Sequence, residues 1–104
     1  MSRELVVLPQ AAHDANEAYI WYELREPGVG EEFLGQLELC QQTIAVDPDR
    51  ARRIRGNVRK VKMKRFPYFI YYHTSPDAVT VLAVLHGARH SRQWLQQMKD
   101  KPTQ

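Results

Sequence analysis

Hydrophobic and polar positions follow two different periods along the chain, and the change of period marks its architecture. From Gln10 to about Arg25, Ala11, Ala15, Ala18, Tyr19 and Tyr22 recur at intervals of three and four. That spacing predicts an amphipathic helix with Asp14, Glu17 and Glu23 largely outside. Pro9 suits its first turn, where a missing N–H is no loss, and Glu26-Pro27-Gly28 ends it. A second helix is predicted from Gly30 to Ala45, with Phe33, Leu37, Cys40 and Ile44 on one stripe, widened by Leu34. Glu31 and Glu32 fall in its first turn, where the helix dipole favours them. The short loop between the helices predicts an antiparallel hairpin. Ahead of it, Glu4 to Leu8 reads as a short strand closed by Pro9.

Beyond Asp47-Pro48-Asp49 the period becomes two. Lys60, Lys62 and Lys64 point one way and Val61 and Met63 the other, the pattern of a half-buried strand from Val58 to Arg65. Phe66-Pro67-Tyr68 interrupts the run. Two more strands are predicted, Tyr68 to Thr74 and Val79 to His86, joined as a hairpin through Ser75-Pro76-Asp77. In the last strand Val79, Val81, Ala83 and Leu85 would share one face and Thr80, Leu82, Val84 and His86 the other. Both faces are apolar, so a central position is expected. Arg50 to Asn57 reads as a basic connection with no assigned structure. A short helix from Ser91 would carry Trp94, Leu95 and Met98 on one side, followed by a frayed tail. The order β-α-α-β-β-β predicts an α+β fold, a small antiparallel-rich sheet with the N-terminal helical hairpin packed on one face. The partner of the first strand does not follow from the pattern.

Composition narrows the class. A chain of 104 residues makes one domain, residues 1–104, with an ordered core expected over about 4–98. The apolar fraction of 43% and charged fraction of 26% are those of a folded protein. A single cysteine, Cys40, excludes an internal disulfide framework and a Cys-rich zinc site. No apolar run approaches the ~18 residues of a membrane span, and the N-terminus has too short an apolar run for a signal peptide, so a soluble cytoplasmic protein is expected.

Charge changes the picture more. The formal net charge of +3 hides a division: residues 1–49 hold ten acids against Arg3 and Arg25, and residues 50–104 hold thirteen bases against Asp77 and Asp100. Nine of those bases lie between Arg50 and Arg65. A solvated face complementing acidic helices is one reading. A surface for an anionic partner is the other, and the mutual repulsion of uncompensated cations favours it. Arg59, Lys60, Lys62, Lys64, Arg65, Arg89 and Arg92 are its candidate binding residues.

Candidate chemistry is sparse. His86 and His90 stand four apart, but Gly87 interrupts them and no carboxylate follows, so neither a metal site nor a cofactor is expected. Phosphate-binding glycine loops, nucleophile elbows and HExxH motifs are missing from the sequence. Metal-independent RNA cleavage through the substrate's own 2′-hydroxyl stays open. It needs a base, a cation beside the phosphorane and an acid for the leaving oxygen. Lys62, Lys64, His86 and Arg89 are the candidate catalytic set, with Lys60 and Arg65 as further cations and Tyr71 or Tyr72 as a donor. Strand tyrosines more commonly pack a core or a cross-strand pair.

The order and spacing of LPQAAHDANEAYIWY, of Asp47-Pro48 with basic residues beyond it, and of RFPYFIYYHTSPDAVTVLAVLHGARHSRQW resemble the RelE/ParE superfamily of type II toxin–antitoxin toxins. The ParE-like branch is the nearer, over nearly all of residues 4–95. The resemblance implies a bacterial α+β toxin made with a small cognate antitoxin whose acidic, partly disordered tail wraps it, in agreement with the basic half. RelE-like members cut messenger RNA on the ribosome without metal; ParE-like members inhibit DNA gyrase and stall replication. RNA-cutting relatives commonly carry an arginine just after the tyrosine of the aromatic strand and a tyrosine near the C-terminus. Here Phe69 and Trp94 stand instead, which favours gyrase inhibition and a plasmid-stabilising, growth-arresting role. The alternatives are a ribosome-dependent endoribonuclease and a non-catalytic or retargeted binding module of the same fold.

Overall fold

The computed structural model describes residues 3–87. Within them the order is β1 (Glu4–Val7), α1 (Pro9–Arg25), α2 (Val29–Val46), β2 (Arg53–Arg55), β3 (Val58–Lys62), β4 (Tyr68–Thr74) and β5 (Ala78–His86). The expected helix from Ser91, together with Arg89, Arg92 and Trp94, lies outside the described residues.

The strands form one sheet of five in the order β1-β5-β4-β3-β2. β1 runs parallel to β5, with Leu5 opposite Val79 and Val7 opposite Val81. The other neighbours are antiparallel. The α+β architecture with a helical hairpin is therefore as expected, with one strand added. β2 arises inside the basic connection, where Arg53-Ile54-Arg55 folds back on β3 through Gly56-Asn57, and Gly56 adopts a left-handed φ of 54°. A three-residue alternation within a run of arginines is too short to stand out as a strand.

One face of the sheet packs on the helices. Ile70, Tyr72, Val79, Val81 and Val84 join Ala11, Ala18, Phe33, Leu37 and Ile44 in a single buried cluster, with Met63, Phe66 and Tyr68 at one end. The strict alternation expected for β5 does not hold. Tyr71 pairs with Ala83 but Tyr72 pairs with Val81, so Leu82 is an extra residue on β5. This β-bulge shifts the pleat by one. Val84 joins Val79 and Val81 on the helix side, and Ala83 and Leu85 turn to the other face. Because both faces of β5 are apolar, nothing in its sequence reveals the slip.

Two carboxylates expected largely outside are half-buried and take backbone partners. Glu23 accepts from the backbone N–H of Gly28 and of Gly30, both at 3.0 Å, and so caps the start of α2 from the last turns of α1. These are orphan donors that the N-cap Gly28 has no side chain to satisfy. Asp14 accepts from the Val84 N–H at 3.1 Å, on the stretch of β5 that β1 is too short to reach, and from Gln10 Nε2 at 2.8 Å. Asp14→Ala is expected to lose about 1 kcal/mol, less than a fully buried charged hydrogen bond because the site is half-open. Urea unfolding checks this, and an unchanged midpoint counts against it. Among the described residues no helix is long and apolar enough to cross a membrane.

Candidate functional site

The face of the sheet turned away from the helices carries the lysines. The β3–β4 register sets Lys60 opposite Tyr71 and Lys62 opposite Phe69, and Val58 opposite His73. Cross-strand partners share a face, so Lys60, Lys62, Phe69, Tyr71 and His73 lie on one side of the sheet, where Lys62 is exposed, Lys60, Phe69 and His73 are half-buried and Tyr71 is fully buried. The Lys60 ammonium lies 4.7 Å from the Phe69 ring centroid and 5.9 Å from that of Tyr71, within cation–π range. Lys62 is exposed and donates to the Met63 carbonyl at 3.3 Å. Lys64 is exposed just past the end of β3. The Phe69 ring is packed down on the chain: a Cβ on Gly87 would stand 2.6 Å from it.

His86 is on the other side. It pairs with Tyr68, one residue along from Phe69, and its ring meets Tyr68 edge-on at 5.3 Å. Tyr68 belongs to the cluster under the helices. The sheet therefore separates His86 from Lys60 and Lys62. The imidazole on the lysine face is His73, which its pairing with Val58 places there and no local pattern marks. Tyr72 is likewise on the helix side, donating to the Pro48 carbonyl at 2.8 Å, and burial pushes its phenol up.

Arg59 also parts from the lysines. Its strand position faces the helix side, its side chain is 12% exposed, and it donates to the carbonyls of Asp49, at 3.0 Å, and of Ala51. Its guanidinium stands 3.6 Å from the Asp49 carboxylate, which Arg3 grips with two bonds of 2.7 and 3.3 Å. Asp47-Pro48-Asp49 thus ties the end of α2 to the N-terminus, β3 and β4. Arg65 reaches Glu32 of α2 at 2.8 Å, from a left-handed backbone with φ 71°. Both of its partners are well exposed, so this pair adds little stability. Among the described residues, Arg59 and Arg65 alone of the nine bases from Arg50 to Arg65 hold an ion pair.

The grip of Arg3, with Arg59 and Arg53 behind it, holds the Asp49 carboxyl below its ordinary value. A depressed carboxylate contributes stability above its unfolded pKa and loses it as pH falls through the folded one. The gap in unfolding midpoint between the natural chain and Asp49→Asn is therefore expected at neutral pH and should close in acid, below about pH 4. A gap that persists unchanged at low pH overturns the assignment.

No group of three or more metal-ligating side chains occurs among the described residues. What this side of the sheet offers is a row of lysines that hold no ion pair among the described residues, with one packed phenylalanine and one half-buried imidazole.

Comparison with known proteins agrees with the fold and names the family. The sequence model of the ParE toxin of the type II toxin-antitoxin system, parDE, matches residues 5–91. Among solved structures, a chain of the chromosomal ParDE toxin–antitoxin system from P. aeruginosa superposes with a TM-score of 0.73 at 16% identity, covering 81% of this chain and 95% of that one. TrmO from P. aeruginosa is similar at a TM-score of 0.51 and 25% identity, over 83% of this chain and 34% of that one. A search of curated protein sequences gives no match. With its family model matched from β1 through β5, the chain belongs to the ParE toxin family of type II toxin–antitoxin systems.

Proposed function

We propose that this chain inhibits DNA gyrase and so arrests replication and growth, and that a cognate antitoxin neutralises it by laying an acidic, partly disordered segment on the basic side of the molecule. The observation that carries the choice of target is the division of the expected catalytic set. Lys62 and His86 sit on opposite faces of the sheet, since Lys62 pairs with Phe69 and His86 with Tyr68. In-line cleavage of RNA needs base and cation around one phosphate, and His73, the imidazole on the lysine side, pairs with Val58 at the opposite end of β3 from Lys62. Phe69, where RNA-cutting relatives carry an arginine, contributes no charge there. Family membership supports the antitoxin, and the cations without an ion pair among the described residues support an acidic segment as its contact.

Two measurements test this. Purified chain added to gyrase and relaxed plasmid is expected to block supercoiling. Unimpeded supercoiling at saturating chain, with ribosome-dependent cuts in messenger RNA, would transfer the activity to the ribonuclease reading. Changing Lys60, Lys62 and Lys64 together to glutamate is expected to weaken capture of the cognate antitoxin. Unchanged affinity at physiological salt would move that contact to the α1–α2 hairpin.

A further inference from the structure

The sheet has two edges of opposite character. Among the described residues β1 is flanked only by β5 and carries Glu4, and β2 is flanked only by β3 and consists of Arg53-Ile54-Arg55. Arg50, Arg52, Arg53 and Arg55 are all exposed, and none holds an ion pair among the described residues. Edge strands leave backbone N–H and C=O groups open, and charged side chains there oppose pairing with another copy of the same strand. Positive charge alone does so selectively. It repels a second β2 and admits an acidic strand.

The register adds geometry to charge. Arg53 pairs with Arg59, on the helix side of the sheet, but Arg55 pairs with Val58, on the lysine side, because the register shifts between them. The irregularity distributes the two arginines over both faces of one edge. A polyanion lying on either face would reach only one of them. A peptide strand in the plane of the sheet sends alternate side chains to both faces and brings its own backbone partners to the edge.

We infer that the outer edge of β2 is a strand-pairing site for an acidic, extended peptide segment, held by backbone hydrogen bonds and by arginines on both faces. This deepens the reading of the chain as an antitoxin-neutralised toxin, and rests on it only for the natural source of the segment. The gyrase assay above contains no peptide, so the two readings fail separately.

The probe is the blocked hexapeptide EEVEEV, titrated into the isotope-labelled full chain at low salt while backbone amide signals are followed by NMR. The amides of Arg53, Ile54 and Arg55 are expected to shift and to exchange more slowly with solvent. N-methylation of alternate peptide amides keeps the charge and removes the donors, and is expected to weaken binding about tenfold. R52E/R53E/R55E is expected to abolish binding, and the charge-neutral R52Q/R53Q/R55Q, which asks less of the fold, to weaken it more than K60E/K62E/K64E does. Equal binding of the methylated peptide would reduce the site to bare charge and overturn the proposal. So would a larger loss from the lysine variant, or a six-nucleotide RNA that binds the same amides more tightly than the peptide.

Discussion

Replacing Phe33 by alanine is expected to cost about 3–5 kcal/mol, the range for emptying a buried aromatic site. Phe33 is fully buried. Its ring lies 5.7 Å from Tyr22 of α1, 5.3 Å from Phe66 in the β3–β4 connection and 5.2 Å from Tyr68 of β4. It is the point where both helices and the far end of the sheet meet. The rings around it are held by other contacts and cannot collapse into the space, which argues for the upper half of the range. Domains of this size carry about 5–15 kcal/mol in total. Thermal unfolding should therefore fall by roughly 15–30 °C. A drop of less than about 5 °C would mean that the cluster is far more plastic than its packing implies.

Gly30→Ala is expected to destabilise by about 2 kcal/mol although alanine is the better helix former. The propensity gain is at most about 1 kcal/mol. Against it, an added Cβ would stand 2.7 Å from Glu23 Oε1 and 2.8 Å from both the Tyr19 ring and the Tyr19 carbonyl oxygen. The carbonyl is backbone, so α2 must move away from α1. The movement also stretches the two bonds by which Glu23 caps α2. Urea unfolding of the variant decides the sign, and a chain as stable as the natural one would show that the hairpin relaxes freely.

Much of this fold was legible in the sequence where one local pattern determined the outcome. Ala11 and Ala18, and Phe33, Leu37 and Ile44, fell on helical stripes and are buried as expected. Lys60 and Lys62 opposed Val61 and Met63 as the alternation required. What escaped depends on partners far along the chain. The parallel pairing of β1 with β5 has no local sign. The Leu82 bulge hides in a strand apolar on both sides, and Asp14 looks like any solvated helix acid until its Val84 partner is known. The candidate site fared less well for the same reason. Charge density along the chain picked out the basic region, but it could not tell Arg59, locked onto Asp49, from Lys60 beside it. Nor could it set His86 behind the sheet.

The pairing of the first strand with the last-made one has a consequence during synthesis. Among the described residues, the strand partners of residues 4–7 are residues 78–81. The β2–β5 meander is joined by short connections and is free to form as soon as it emerges, because close contacts carry a small loop-closure cost. The N-terminal strand, made first, must wait with its helices until Val81 has left the ribosome. A chain stopped short of that point lacks the strand that holds β1, so the five-stranded sheet is completed only after residues 78–81 have emerged.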